Sequence, residues 1–318
     1  MDDLSTSEGR VDEHRLRYRS PLDAEHLLGF LDSRAIPGVE AVHDGSYTRT
    51  MRAPAGAPIV LELELDRIEA SFVLRATGTG AFGSVDRSVR RLLDLDADPV
   101  AIDSRLGADP VLRELVRSTP GTRLPGAVDG FEIVVRAIVG QQVSVAGART
   151  TLGRITERFG EALAEPVGSV ARVFPTPARL ADAPRDGLGM PRARADAIVT
   201  VARAVESGEL DLSGDADPAA TRERLRSIRG VGEWTEEYVA MRALGDRDAF
   251  PVGDLGVRRG FRRLGLPDDL RSMRQRAERW RPWRAYAVIH LWNSGAPDRG
   301  GALNRRVRIE RHLRDEDG

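Results

Sequence analysis

In the stretch IVLELELD, Leu61, Leu63 and Leu65 alternate with Glu62, Glu64 and Asp66. A period of two places the leucines on one face of a strand and the acids on the other. SFVLRAT follows after a short gap, close enough to pair with it as a hairpin. GSYTRTMRA (45–53) reads as a third strand, and DAEHLLGFLDSRAI ahead of it has amphipathic helical spacing. The pattern predicts a small antiparallel sheet with helices on one side over residues 14–87, after a disordered polar tail over 1–13. Nothing in this sheet region points to chemistry.

After Gly83 the period changes. Val85, Val89, Leu92 and Leu93 fall at helical spacing, and DPVLRELVRST repeats the mode. RLPGAVDG (123–130) is a turn-rich joint. Asp129 is a candidate N-cap, with Glu132 three residues on completing a capping box. GQQ breaks that helix, and Ser144 can cap the next, through Phe159. Further helices are predicted near 192–206, 218–227, 233–243, 254–264, 270–280 and 282–292. The fold class is therefore α+β, with the sheet domain followed by a larger all-helical unit over 88–318.

Composition narrows the chemistry. The 318 residues contain no cysteine, which removes thiolate metal sites, iron–sulfur clusters and cysteine nucleophiles. All 48 basic residues are arginine, so no lysine is present to form a Schiff base. The 5 histidines show no ligand spacing. The acidic, polar start is unlike a secretory signal, and no apolar run is long enough to span a bilayer, so a cytoplasmic protein is expected. Net charge is −1, yet arginine is dense from Arg258 to Arg314, where it can meet phosphates or merely solvate helix faces.

The informative stretch is IRGVGEWTEEYVAMRALGDRDAFPVGDLGVRRGF (228–261). Gly230, Val231 and Gly232 separate two short helices, which reads as a helix–hairpin–helix over 225–235. The second helix would start with free N–H groups that attract an anion such as a nucleic-acid phosphate. An ordinary helix–helix turn fits the Gly-Val-Gly alone equally well. Asp254 stands where it would N-cap the next helix, and a cap is all that local sequence requires of it. The 4 tryptophans all lie in the last third of the chain, where helical tryptophans are usually core.

The pattern L-x-x-I-x-G-V-G-x-W-T, with an aspartate 22 residues after Gly232, resembles the helix–hairpin–helix DNA glycosylases. The nearer resemblance is to the 3-methyladenine DNA glycosylase II family. It extends to LLGFLDSRAIPGVE, LPGAVDGFEIVVRAIVGQQVSVAGA, FPTPARLA, LGMPRARADAI and AERWRPWRAYAVIHLW, about residues 16–300. The resemblance implies two helical lobes with a cleft between them and Asp254 as the catalytic carboxylate. It implies a base pocket of Trp234, Tyr238 and Trp292, and DNA contacts from Gly230, Val231, Gly232 and Thr235. It puts Gln142 at the wedge that fills the gap left by a flipped base, where the family's near relative carries leucine. It also implies a monovalent cation, Na+ or K+, on the main-chain carbonyls of Arg226, Ile228 and Val231, and no required cofactor. The expected partner is double-stranded DNA containing alkylated bases, and the expected state a monomer. With tryptophan at 234 and no lysine, a monofunctional enzyme without lyase activity is expected. A DNA-binding module without catalysis, or the same fold acting on another damaged base, remains open. Trp280 and Trp283 are expected to pack structurally, on Arg284 and Tyr286.

Overall fold

The computed structural model describes residues 11–53, 56–78 and 83–295. Strand β1 (Val11–Arg17) opens the chain, followed by helix α1 (Ala24–Arg34). Strands β2 (Glu40–His43), β3 (Ser46–Arg52), β4 (Pro58–Asp66) and β5 (Ser71–Gly78) complete an antiparallel sheet in the order β1-β5-β4-β3-β2. The predicted alternation holds on β4: Leu61 and Leu63 are buried while Glu64 is exposed. Their buried face meets Leu27 and Leu31 of α1 and Val85, Val89 and Leu92 of helix α2 (Gly83–Leu92). Two boundaries therefore move. Residues 11–13, expected in a tail, belong to β1, and α2 belongs to the sheet's core, so residue 87 is not the end of that unit. Strand β2 was not anticipated.

The helical part comprises α3 (Pro99–Gly107), α4 (Arg113–Ser118), α5 (Gly130–Gly140), α6 (Val145–Phe159), the strands β6 (Glu161–Val167) and β7 (Val170–Val173), then α7 (Pro177–Ala181) and α8 (Arg192–Glu206). It continues with α9 (Pro218–Ser227), α10 (Glu233–Arg242), α11 (Leu255–Arg263), α12 (Leu270–Ala277) and α13 (Arg284–Asn293). They build two cores. One gathers Val134, Ile138, Leu152, Ile198, Leu225 and Val239. The other joins Ile102 and Leu106 of α3 to Met241, Phe261, Trp280 and Leu291, so it draws on chain from both sides of the first. Helix α10 contributes to both cores, through Val239 to one and Met241 to the other.

A buried ion cluster ties the sheet to α5. Arg49 donates to Glu40 at 3.1 Å and to Glu132 at 2.8 Å. Arg136 donates to Glu132 at 2.6 Å and also to Glu40, which accepts the Tyr47 hydroxyl at 2.5 Å. Burial opposes ionisation of Glu40, but Arg136 and Arg49 overcome it and hold that carboxyl at about 2. Glu132 is thus not the partner in a capping box. Asp129 caps α5 by itself, accepting from the Phe131 N–H at 2.8 Å, because the Glu132 carboxylate is drawn to the arginines instead. The β6–β7 hairpin adds a second tie, with the backbone N–H groups of Ala171 and Arg172 each donating to Gly38 O at 2.8 Å.

Candidate active site

The hairpin between α9 and α10 closes through a Val231 N–H to Ile228 O bond of 3.0 Å. Gly230 sits there at φ 95°, a left-handed conformation that favours glycine, and a β-carbon would also meet Ala197 Cβ at 3.0 Å. Val231 is buried in the first helical core. Gly232 N-caps α10 without any side-chain cap and is exposed, so the first-turn N–H groups have no capping acceptor.

Trp234 stands in that first turn. Its indole Nε1 donates to Oδ2 of Asp254 at 2.9 Å, and Trp292 Nε1 donates to Oδ1 at 2.8 Å. Oδ1 also accepts the Val257 N–H at 2.9 Å, so Asp254 does cap α11. An ionised carboxylate only accepts hydrogen bonds, and every partner here is a donor. Tyr238, one turn beyond Trp234, stacks on it with ring centroids 5.4 Å apart and planes at 25°. Tyr238 and Trp292 face each other at 6.4 Å and 40°. A ring sandwiched between two others needs about 7–8 Å, two van der Waals layers, so that gap must open slightly to admit one. The four predicted residues Asp254, Trp234, Tyr238 and Trp292 are thus brought together on one cleft of about 990 Å³.

Sequence reasoning missed the opposite wall. Phe30, on α1, stacks on Trp292 at 6.1 Å and 16°. The guanidinium of Arg34 lies 3.8 Å from the Phe30 centroid, and that of Arg242 lies 4.6 Å from it and 5.7 Å from Tyr238. Arg242 is buried and held by the carbonyls of Pro125 and Gly126 and by the Tyr238 hydroxyl at 3.1 Å. Burial pushes Arg34 down to about 10, helped by Arg242 and opposed by Tyr238 and Asp254, which leaves it charged at neutral pH. The sheet domain therefore does furnish part of the cleft. No local signal marks these positions, since Phe30 and Arg34 read as one more turn of an amphipathic helix.

The loop from α5 to α6 forms the cleft's rim. Gln142 is exposed at φ 58°, beside Val143 and Val145, which are 42% and 46% exposed. Gln141 reaches back instead, donating to Gly230 O at 2.9 Å and Thr235 Oγ1 at 3.0 Å. That engages Thr235, whose side chain is buried. Arg149, Arg259 and Arg263 line the cleft and have no carboxylate partner among the described residues. Most other arginines from 258 to 284 are spent internally: Arg258 and Arg262 on Asp268, Arg274 on Glu233, Arg276 on Asp109, Arg281 and Arg284 on Asp248. Residues 296–318, with the rest of that basic stretch, lie outside the described residues. Trp280 packs edge-on against Phe250 and Phe261 rather than on Arg284, while Trp283 does pack on Tyr286 at 5.8 Å. The described residues contain no cluster of three or more His, Asp or Glu fit to hold a metal, and no helix among them is long and apolar enough to cross a membrane.

A carboxylate capping a helix beside a helix–hairpin–helix, under an aromatic wall, places the chain in a defined class. Residues 135–285 match the model of the HhH-GPD superfamily base excision DNA repair protein, and residues 13–129 that of the AlkA N-terminal domain. DNA-3-methyladenine glycosylase 2 of Escherichia coli is 34% identical over 283 residues, which cover 88% of this chain and 96% of that protein. A Mycobacterium tuberculosis protein described as a probable bifunctional transcriptional activator/DNA repair enzyme AlkA is 41% identical over 281 residues, 88% of this chain. The chain spans only 56% of that relative's length. The solved 3-methyladenine DNA glycosylase from Archaeoglobus fulgidus superposes with a TM-score of 0.75 at 26% identity, over 88% of this chain and 97% of that one. The chain belongs to the AlkA-like DNA-3-methyladenine glycosylase family.

Proposed function

We propose that the protein is a monofunctional DNA glycosylase of base excision repair, removing alkylated purines such as 3-methyladenine and 7-methylguanine from double-stranded DNA. The observation that carries this reading is the Asp254 carboxylate, held on both oxygens by indole N–H groups of the cleft's aromatic wall. Cleavage of an N-glycosidic bond builds positive charge on the sugar, and a fixed carboxylate beside C1′ stabilises it. Three donors fix Asp254 in place, so little reorganisation is needed as that charge develops. The target base leaves the duplex first. Gln142, at the exposed tip of its loop, fills the space, and the open N-terminus of α10 with Arg149, Arg259 and Arg263 takes backbone phosphates. Water attacks C1′, the base departs with the bond's electron pair, and Asp254 accepts the water proton or orients its loss. With no lysine anywhere in the chain to form a Schiff base with the sugar, the product is an intact strand bearing an abasic site.

No cofactor is required in this reading. A Na+ or K+ ion would sit on the carbonyls of Arg226, Ile228 and Val231; Ile228 O keeps one lone pair for it after accepting the Val231 N–H. The protein would act as a monomer on nucleoid DNA in the cytoplasm. The test is base release from duplexes carrying 7-methylguanine, with strand scission read on a gel without alkali. The wild type should free the base and leave the strand whole, and Asp254→Asn should release it about 100-fold more slowly or worse. An Asp254→Asn protein as active as the wild type, or strand breaks without alkali, would overturn the reading.

A further inference from the structure

The cleft presents a conflict. Aromatic rings favour a cationic base, yet two guanidinium groups already lie against Phe30, and one of them also against Tyr238. Arg242 is accounted for by two carbonyls and a hydroxyl. Arg34 is not. Its single side-chain hydrogen bond is to Ser33 Oγ at 3.0 Å, and it has no carboxylate partner among the described residues. It is half-buried and lines the same cleft as Asp254. An unpaired guanidinium in a partly desolvated cleft is costly unless something uses it.

We infer that Arg34 is a specificity-determining residue whose guanidinium donates hydrogen bonds to the departing base and so raises the release of uncharged damaged purines relative to that of the cationic ones. The inference rests on the glycosylase reading above. When a purine alkylated at N3 or N7 leaves, the bond's electrons neutralise its positive charge, so it departs neutral and needs no donor. An uncharged purine departs as an anion on its ring nitrogens. Free N–H groups of a fixed cation stabilise that anion, which then takes a proton from water. Water contributes hydroxide to C1′ and a proton overall, so base and sugar balance without Arg34 losing its own proton. The same cation repels a base that arrives positively charged. Arg34 is suited to this because its guanidinium is held 3.8 Å from the Phe30 centroid and, among the described residues, spends only one N–H, on Ser33 Oγ.

The experiment compares single-turnover release of 7-methylguanine and of hypoxanthine by one enzyme preparation, so that the ratio is independent of how much of it is folded. Arg34→Met should slow hypoxanthine release by about tenfold or more, the worth of a lost charged hydrogen bond. Its 7-methylguanine release should fall by a clearly smaller factor, so that the ratio of the hypoxanthine rate to the 7-methylguanine rate drops. Arg34→Lys, which keeps the charge but not the planar fork, should restore only part of the hypoxanthine rate. If Arg34→Met lowers both rates alike, or the wild type frees 7-methylguanine and no hypoxanthine, the inference fails while the glycosylase reading stands. If the wild type frees neither base, both fail together.

Discussion

Trp292 lies over Gly256 so closely that a β-carbon at 256 would stand 2.6 Å from its Cδ1 and 2.9 Å from its Nε1. The same β-carbon would be 2.9 Å from Asp254 Oδ1. One turn on, a β-carbon at Gly260 would meet Leu291 Cβ at 2.8 Å. These two glycines let α13 approach α11 and bring the indole N–H to the carboxylate. Gly256→Ala should therefore displace Trp292 from Asp254. Overpacking of this kind costs about 1–3 kcal/mol of stability. Release of 7-methylguanine should fall about tenfold or more, the scale of one lost charged hydrogen bond, while affinity for abasic-site DNA changes little. Unchanged base release would show that Trp292 is not held in place by this contact.

The two indole donors are separable from their rings. Trp234→Phe and Trp292→Phe each keep an aromatic surface and remove one N–H from Asp254. A hydrogen bond to a charged group contributes about 1.5–3 kcal/mol, so each single variant should slow base release about 10–100-fold with little change in binding. Because both act on one carboxylate, the double variant should lose less than the product of the single losses. Kinetics of the four proteins form a double-mutant cycle. Strict multiplicativity would mean that the two indoles act independently.

Arg49 lies between Glu40 and Glu132 with hardly any solvent contact. Replacing it with leucine leaves two buried carboxylates sharing Arg136. Removing one partner of a buried ion pair costs about 3–5 kcal/mol. Arg49→Leu should lower the midpoint of denaturant unfolding accordingly, against a surface control such as Arg117→Leu. A loss under about 1 kcal/mol would mean that the cluster contributes no more than an exposed ion pair.

The sequence spoke most clearly where the signal is local. The Leu61/Leu63 alternation specified β4, and Asp254, Asp129 and Ser144 all cap the helices their positions indicated. It failed where partners are distant. Glu132 looked like a capping-box residue, but Arg136 on its own helix and Arg49, 83 positions away, both draw its carboxylate. Phe30 and Arg34 carry no local mark of their place opposite Trp292, since only the packing of α1 brings them there. The β6–β7 hairpin is mostly exposed on β6 and so lacks the alternation that reveals a half-buried strand.

His290 offers a test through pH. It is buried on α13, with Nδ1 3.2 Å from Thr119 Oγ1 and Nε2 without a hydrogen-bond partner. Burial pushes it from 6.5 down to about 4; Asp23 pulls it up and His26 pushes it down, both more weakly. A histidine depressed in the folded state stabilises the fold in full above its unfolded value. That stability drains away as pH falls from about 6.5 towards 4, because the unfolded chain takes up the proton more readily. A shift of this size corresponds to about 3 kcal/mol. His290→Gln cannot titrate, whereas every carboxylate titrates in both proteins. Between pH 7 and pH 4 the wild type should therefore lose about 3 kcal/mol more than the variant, read as the difference between their unfolding midpoints at each pH. Parallel curves would place the His290 ring in contact with water, contrary to its burial in the fold.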